Sequence, residues 1–254
     1  MGDEEVITEV DDGILVVTFS RPQAKNAMNR SAAHKIAAAM ERLDADPALR
    51  VAILTGGGGT FCSGMDLKGF LAGELPVVEG RGFGGIVTRG PDKPLIAAID
   101  GFALAGGLEL AMACDLIVAS SGATFGLPEV KRGLAAGGGG LVRLPRQIPR
   151  RVAMEMALTG EPITAARAYE LGLINALCDG PAVEGARALA RRIVENAPLA
   201  IAASKAVIRD SVFWPEAEMN DRQTPYIAPV FGSKDAQEGP RAFAEKRKPN
   251  WTGS

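Results

Sequence analysis

GFALAGGLELAMACDLIVASSGATFGLPE, residues 101–129, is the stretch that decides the fold. A pair of glycines leads into a predicted helix, Leu108–Ala113, whose first N–H groups have no partner inside the helix. These N–H groups and the helix dipole favour an oxygen that carries negative charge. Glu109 and Glu129 stand in otherwise apolar surroundings. Such surroundings raise the pKa of a carboxyl group and suit it to proton transfer near neutral pH.

The composition is that of an ordinary globular protein. The chain has 254 residues, of which 47% are hydrophobic, and a formal net charge of −2. This length allows one domain, or one domain with a smaller appendage. The charge does not favour a nucleic-acid partner or an anionic membrane. Three scattered cysteines and one histidine do not supply a Cys/His zinc site, so we expect no metal.

One apolar run raises the question of a membrane helix. Leu95–Ala119 is long enough, but it contains three acidic residues, and each would cost about 3 kcal/mol in a bilayer. The N-terminal residues 1–12 are acidic and lack the apolar core of a secretory signal. We therefore expect no membrane partner and a cytoplasmic location.

Short strands alternate with helices along the first half of the chain, and strand, glycine turn and helix recur twice. The predicted strands are Val6–Val10 and Ile14–Phe19, which form a hairpin, then Val51–Leu54, Leu95–Ile99, Leu116–Ala119 and Ile174–Leu177, the only late one. The predicted helices are one from Ser31 to about Asp44, one after Phe61, Leu108–Ala113, Arg151–Thr159, Thr164–Leu171, Pro181–Asn196, Pro198–Phe213 and a stretch beyond Glu216. Ser31 is expected to cap the first helix. Pro76–Pro94, rich in glycine and proline, is expected to be the least regular segment.

Two glycine motifs do not fit nucleotide binding. Gly80–Gly85 matches G-x-G-x-x-G, but Gly90 and the proline after it end any helix that could follow. Gly59–Gly64 has P-loop spacing, but Met65 and Asp66 occupy the positions of the lysine and the serine or threonine. Asp66 is explained more simply as the cap of a helix start.

Two glycine turns remain that each enter a helix, Ser63–Asp66 and Ala105–Leu108. If these turns face each other, the N–H groups of Met65 and Gly106 can bind one carbonyl oxygen from two sides. Such an oxyanion hole stabilises an enolate by about 3–4 kcal/mol per donor. The two glutamates would then flank the carbons beside that carbonyl, although either alone is equally explained as a salt-bridged or exposed side chain.

Several segments are characteristic of one known family: FCSGMDLKGF (61–70), KPLIAAIDGFALAGGLELAMACDLIVAS (93–120) and FGLPEVKRGL (125–134), with RPQAKNAMN (21–29), ALTGEPITAARAYELGLIN (157–175) and SKDAQEGPRAFAEKRKPNW (233–251). Through these segments the chain resembles the crotonase family, specifically the enoyl-CoA hydratases, over nearly its whole length. The resemblance implies an α/β fold built as a spiral of ββα units over residues 1–195. It also implies a C-terminal helical trimerisation segment over residues 196–254. A homotrimer or a dimer of trimers is therefore expected.

The same resemblance implies site residues. Met65 and Gly106 are similar to the family's two oxyanion donors, and Glu109 and Glu129 match the two hydratase glutamates. The implied CoA-contacting residues are Lys25, Ala27, Met65, Asp66, Leu67, Lys68 and Gly106. Because both glutamates are present, hydration of a 2-enoyl-CoA thioester is favoured, as in fatty-acid β-oxidation. No metal or redox cofactor is implied, since coenzyme A is part of the substrate.

Three alternatives stay open at this point. They are a Δ3–Δ2 enoyl-CoA isomerase, a carnitinyl-CoA (crotonobetainyl-CoA) hydratase-like enzyme, and a non-catalytic acyl-CoA binder. Glu109 is expected to hold the water, and Glu129 to deliver a proton to Cα. The sequence does not settle this division of roles, and the pair can titrate as a unit. Met65, larger than its counterpart in common hydratases, and the segment 73–90 are expected to shape the acyl site.

Overall fold

The computed structural model describes residues 5–254, so residues 1–4 of the predicted non-secretory N-terminus lie outside the described part. Residues 5–254 contain eleven β-strands and ten α-helices. The strands are β1 (Val6–Asp11), β2 (Ile14–Phe19), β3 (Val51–Gly56), β4 (Val77–Val78), β5 (Gly82–Phe83), β6 (Leu95–Ile99), β7 (Phe102–Leu104), β8 (Leu116–Ser120), β9 (Thr124–Gly126), β10 (Ile163–Thr164) and β11 (Ala176–Cys178). The helices are α1 (Arg30–Ala45), α2 (Leu67–Leu71), α3 (Gly106–Ala113), α4 (Gly140–Gln147), α5 (Arg150–Thr159), α6 (Ala165–Glu170), α7 (Ala182–Val194), α8 (Pro198–Asp210), α9 (Met219–Phe231) and α10 (Lys234–Ala244).

The main sheet has the strand order β1-β2-β3-β6-β8-β11. The predicted hairpin of β1 and β2 is antiparallel and turns at Asp12 and Gly13, both at positive φ. The other neighbours pair in parallel, with Thr55 of β3 opposite Ala98 of β6. Parallel strands end at the same edge of a sheet, so the loops after β3 and β6 leave from neighbouring points. The loop after β3 carries Met65 and Asp66, and the chain after β6 passes through β7 into α3, which carries Gly106 and Glu109.

Both faces of this sheet are covered, which explains its nearly continuous apolar strands. In β2, Leu15 and Val17 pack in the larger core with α1 and α3, while Ile14 and Val16 face the opposite side. Helix α7 covers that second side through small side chains four residues apart, which allow a close approach to the strands: Ala182, Ala186 and Ala190. The two small sheets are β10-β9-β7 and β4-β5.

Helix α1 has a different cap from the predicted one. The Asn29 side chain accepts the N–H of Ala32 at 2.8 Å, and the helix begins at Arg30. Ser31 therefore lies inside the helix, and its prediction as the cap is wrong. Asparagine and serine are comparable caps, so the sequence did not distinguish them. The predicted apolar face, which includes Ile36 and Met40, is fully buried.

The segment 76–94 is more regular than predicted. It begins with the β4–β5 hairpin and then places Ile86 in the core. Gly85, at φ +78°, packs against the backbone of α1, where an added β-carbon would lie 2.4 Å from the carbonyl oxygen of Ala33 and 2.9 Å from the nitrogen of Ala37. The glycines of this segment thus permit close packing.

Two elements of the second half differ from the predictions. Helix α4 was not predicted, because it begins at the last of four consecutive glycines and contains Pro145, and both residue types disfavour a helix. Ile174–Leu177 is not the only late strand, since β10 is present and β11 is shifted to Ala176–Cys178. A two-residue strand such as β10 is set by its partner β9 and leaves no periodic pattern in the sequence.

The last helices are tied to the rest of the chain by polar contacts. Lys205 of α8 forms an ion pair with Asp115 at 2.6 Å. The Asp235 carboxylate, 3% exposed, accepts the N–H groups of Thr252 and Gly253 at 2.7 and 2.9 Å. These bonds fix the C-terminal tail against α10. The predicted division of the chain at residue 195 stays a prediction.

The apolar run 95–119 forms β6, β7, α3 and most of β8, rather than one long helix. Across residues 5–254, no helix combines the length and the apolar content needed to cross a membrane.

Replacement of Gly85 tests the packing of the segment 76–94. Gly85→Ala is expected to lower the free energy of unfolding by about 1–3 kcal/mol more than Gly80→Ala, because its β-carbon meets the backbone of α1. Gly80 is the matched control: it has φ +71° and open space around it, so its replacement costs only the backbone strain. Urea unfolding at fixed protein concentration measures both values. Equal losses for the two variants would contradict the packing.

Candidate active site

The structure brings together three chain segments that are far apart in sequence. The Cys62 N–H donates to the carbonyl of Phe102 at 2.8 Å. On the other side, the Met28 N–H donates to the carbonyl of Gly64 at 2.7 Å, and the Asp66 N–H donates to the carbonyl of Met28 at 2.9 Å. The segment 62–66 therefore lies between the loop before α1 and strand β7.

The two predicted glycine turns lie against each other. A β-carbon added to Gly64, at φ +109°, would lie 2.8 Å from Cβ of Ala105 and 3.5 Å from the nitrogen of Gly106. Only glycine permits this approach. Ala105 itself has φ +52° and ψ −127°, a strained conformation for a residue with a side chain. This conformation turns the chain from β7 into α3.

The N–H groups of Met65 and Gly106 are left available by this arrangement. The backbone of Met28 forms hydrogen bonds with Gly64 and Asp66, the residues on either side of Met65, so these bonds do not use the Met65 N–H. Gly106 is the first residue of α3, and its N–H has no intrahelical partner. Within residues 5–254, neither N–H donates to another group. The pair is therefore suited to receive an oxygen atom from outside the chain.

Glu109 lies in the first turn of α3 and is 3% exposed. Its Oε1 accepts the N–H of Gly140 at 2.8 Å. Burial raises the pKa of Glu109, whereas the backbone N–H groups of Gly140 and Gly138 and the charge of Arg143 lower it. The backbone approaches so closely that a β-carbon on Gly138 would lie 2.5 Å from Oε2.

Glu129 lies in a 3₁₀ helix, Pro128–Arg132, that follows β9. Burial, together with the negative charge of Glu109, raises the pKa of Glu129 to about 7. Its Oε2 is buried and has no hydrogen-bond partner within the described residues. Neither glutamate forms an ion pair within residues 5–254, so the explanation of both as salt-bridged side chains does not hold. The carboxyl groups are close enough to interact through their charges.

The predicted CoA-contacting residues lie at the rim of this region. Lys25 is exposed, with Nζ 5.7 Å from the centroid of the Phe102 ring. Ala27 is half-buried, and its carbonyl accepts a hydrogen bond from Arg21. The Ser63 N–H donates to the carbonyl of Lys25 at 3.1 Å, which joins this rim to the Met65 turn.

Asp66 precedes helix α2, which begins with Leu67 and Lys68. The Asp66 carboxylate accepts the N–H of Lys68 at 3.0 Å, and it forms an ion pair with Arg21 at 2.9 Å. Asp66 is thus a helix cap, as the sequence indicated. Leu67 is 40% exposed and Lys68 is exposed. The two lysines, Lys25 and Lys68, put positive charge at the rim.

Sequence reasoning missed the groups that hold Glu109. Arg143 of α4 donates to the carbonyl of Gly138 at 3.0 Å and to the carbonyl of Val87 at 2.5 Å. It therefore connects the glycine run 137–140 to the segment 76–94. The run of four glycines was the available signal, because backbone that contacts a carboxylate at this distance leaves no room for β-carbons.

A cavity of about 420 Å³ adjoins this region between the 3₁₀ helix, α4 and α5. Glu129 is in its wall, next to Leu127 and Val130. The remaining wall is mostly aliphatic. The cavity is therefore an apolar space that begins at one of the two carboxyl groups.

Several known proteins are similar to this chain in sequence and in architecture. A family model described as enoyl-CoA hydratase/isomerase matches residues 9–254. Enoyl-CoA hydratase EchA19 of Mycobacterium tuberculosis is 44% identical over 93% of this chain and 92% of that protein. A carnitinyl-CoA dehydratase of Salmonella typhi is 41% identical over 94% of this chain and 95% of that protein. The crystal structure of enoyl-CoA hydratase EchA1 from Mycobacterium marinum is 55% identical, covers 98% of this chain and 99% of that one, and has a TM-score of 0.96.

The spiral of strands and helices around the Gly101–Glu129 stretch is the crotonase fold, as the sequence predicted. The match over residues 9–254 and the identity to several relatives establish the family as well. The chain belongs to the enoyl-CoA hydratase/isomerase family.

The raised pKa of Glu129 predicts how stability depends on pH. The folded protein binds this proton more strongly than the unfolded chain between the ordinary pKa of 4.5 and about 7. The bound proton's stabilising contribution to the free energy of unfolding is complete below pH 4.5 and is lost as the pH rises through about 7. Glu129→Gln cannot ionise, so its free energy of unfolding is expected to rise relative to the unmodified protein over this range.

Urea unfolding at a series of pH values measures this difference. Glu155→Gln is the control, because Glu155 is an exposed carboxylate of α5. A difference between Glu129→Gln and the unmodified protein that stays constant with pH would contradict the raised pKa.

Proposed function

We propose that the protein is an enoyl-CoA hydratase, which adds water across the conjugated double bond of a 2-enoyl-CoA thioester. The observation that carries this proposal is the pair of interacting carboxyl groups, Glu109 and Glu129, with Glu109 in the first turn of the helix that begins at the unused N–H of Gly106. The names of the relatives from M. tuberculosis and M. marinum support it. Hydration needs both a base for water and an acid for Cα, and this pair can supply them.

In the proposed reaction, the thioester oxygen accepts hydrogen bonds from the N–H groups of Met65 and Gly106. Negative charge develops on this oxygen as the enolate forms. Donors that are fixed by the backbone need no reorganisation at that moment, and each contributes about 3–4 kcal/mol. The start of α3 adds the positive end of its dipole to the Gly106 N–H.

The two glutamates divide the proton transfers. Glu129, with a pKa of about 7, carries a proton in much of the population near neutral pH. Glu109, which accepts the Gly140 N–H, is the carboxylate. The water oxygen bonds to Cβ and gives its proton to Glu109, while Glu129 gives a proton to Cα. A proton then passes from Glu109 to Glu129, so the net change is the addition of one water.

The rim residues are proposed to hold the CoA part of the substrate. The exposed ammonium groups of Lys25 and Lys68 are suited to phosphate groups, which are multiply charged. The proposed reaction uses no metal or redox cofactor. A cytoplasmic location stays a prediction.

The competing substrate class comes from the relative of Salmonella typhi, which is named a carnitinyl-CoA dehydratase. Carnitinyl groups carry a quaternary ammonium, so they differ from a fatty acyl group in charge rather than in reaction type. The two glutamates serve either substrate equally, and the choice depends on what surrounds the acyl tail.

Replacement of each glutamate tests the proposed reaction. Glu109→Gln and Glu129→Gln are each expected to reduce kcat for crotonyl-CoA hydration by about a hundred- to ten-thousandfold, because each removes a proton-transfer group. Loss of the conjugated absorbance measures the rate, and calorimetry with butanoyl-CoA checks that binding remains. Glu155→Gln is the control. Rates near that of the unmodified protein in both variants would refute the proposal, as would isomerisation of a 3-enoyl-CoA without hydration.

The backbone that holds Glu109 offers a second test. Gly138→Ala is expected to lower kcat for crotonyl-CoA by at least about tenfold, because the new β-carbon would lie 2.5 Å from Oε2 of Glu109 and displace the carboxyl group. Gly137→Ala is the matched control from the same glycine run, since its nearest neighbour would lie 4.0 Å away. A similar kcat for both variants would show that the position of Glu109 is not critical.

We also propose that the chain forms trimers, singly or in pairs. The second half of the chain exposes large apolar side chains that a monomer would leave in water: Ile208 at 72%, Phe213 at 73%, Phe231 at 79% and Phe243 at 88% exposure. Light scattering coupled to size exclusion is expected to give three or six times the mass of one chain. A monomer at micromolar concentration would contradict this assembly.

A further inference from the structure

The wall of the cavity beside Glu129 is mostly aliphatic. Its aliphatic side chains come from three elements, with Leu127 before the 3₁₀ helix, Leu144 in α4 and Ala153 in α5 as examples. Glu129 is the acidic group in the wall, and its buried Oε2 has no hydrogen-bond partner within the described residues. An acyl tail that extends from the reacting carbons into the cavity thus passes Glu129 and then contacts aliphatic side chains.

The charged groups of the wall do not suit a cation. Arg150, at the start of α5, is the cationic side chain among the described lining residues, and none of those residues is aromatic. Proteins bind quaternary ammonium groups through aromatic rings, and no ring lines this space. Arg150 would add a repulsion that its exposure to water reduces, and Glu129 in its protonated form would not offset it.

The size of the cavity indicates a long substituent. A methylene group takes roughly the volume of a water molecule in the liquid, about 30 Å³. A cavity of about 420 Å³ therefore has room for a chain of about ten methylene groups without tight packing. A four-carbon acyl group, which has one methyl group beyond the reacting carbons, would leave most of it unfilled.

We propose that this cavity, walled by Leu127, Leu144, Ala153 and Ala157, takes the tail of an uncharged hydrocarbon acyl-CoA of about eight to twelve carbons. The inference rests on the proposed function, because it takes Glu129 as the group beside Cα. It excludes an acyl group that ends in a trimethylammonium as the preferred substrate. Each buried methylene adds up to about fourfold in affinity, so length discrimination follows from burial alone.

Binding of saturated thioesters tests the proposal without catalysis. Decanoyl-CoA is expected to bind at least tenfold more tightly than butanoyl-CoA in calorimetry, because its six additional methylene groups enter the cavity. The thioester with a trimethylammonium on the fourth carbon is expected to bind at least threefold more weakly than butanoyl-CoA. Equal binding of the two alkyl thioesters, or tighter binding of the cationic one, would overturn the proposal.

Turnover separates this inference from the proposed function. Hydration of crotonyl-CoA tests the reaction, and the ratio of kcat/KM for dec-2-enoyl-CoA to that for crotonyl-CoA tests the cavity, with an expected value of ten or more. Crotonyl-CoA hydrated with a ratio of one or less would overturn the cavity assignment and leave the reaction intact. Tight binding of decanoyl-CoA without any hydration would overturn the reaction and leave the cavity assignment intact.

A variant of α5 tests where the tail lies. Ala157→Phe places a ring in the cavity and is expected to reduce the preference for decanoyl-CoA over butanoyl-CoA by at least threefold. Glu155→Phe is the matched control, because Glu155 is exposed on the same helix and does not line the cavity. A preference that is unchanged in folded Ala157→Phe, shown by an unchanged circular dichroism spectrum, would overturn the assignment.

Charge reversal tests the exclusion of a cation. Arg150→Glu is expected to improve binding of the trimethylammonium thioester relative to butanoyl-CoA by at least threefold. Arg151→Glu is the matched control, since Arg151 is the next residue, is also exposed and does not line the cavity. The same improvement in both variants would mean that Arg150 does not act through the cavity.

Discussion

The site depends on the contact between two turns at the positions of Gly64 and Gly106. The missing β-carbon of Gly64 lets the chain approach Ala105 and the nitrogen of Gly106, and parallel pairing on both sides of residues 62–66 holds this approach in place. A larger residue at position 64 would separate the turns, and the unused N–H groups of Met65 and Gly106 would move apart. The strain in Ala105 is offset by the sheet and helix on either side of it.

The electrostatics of the glutamate pair follow from the same local structure. Burial raises the pKa of both carboxyl groups, but two backbone N–H groups and the charge of Arg143 favour the charged form of Glu109, whereas Glu129 has only its own backbone N–H and also faces the negative charge of Glu109. Glu129, without such donors at its buried oxygen, carries the higher cost of ionisation. Two identical side chains therefore differ in protonation because their backbone environments differ.

Much of the fold was predictable because it rests on local patterns. The β1–β2 hairpin follows from its Asp-Asp-Gly turn, and the buried face of α1 follows from its apolar spacing. Helix α4 was missed because glycine and proline disfavour a helix locally, while its packing against α3 and α5 stabilises it. Family resemblance indicated Glu109 and Glu129 but not Gly138, Gly140 and Arg143, because a glycine run indicates close backbone packing without identifying the partner 31 residues away.

Helix α3 carries both the Gly106 N–H and Glu109, three residues apart on one rigid turn. Any shift of this helix moves the backbone of both residues together, so the distance between their α-carbons stays constant. Glu129 is on a different element, and its distance from them is set by the 3₁₀ helix. In the proposed reaction, small changes in residues 127–134 can therefore alter which carbon is protonated, while the Gly106 N–H and Glu109 stay the same. Variation in reaction outcome among related chains is accordingly expected to concentrate on that second element.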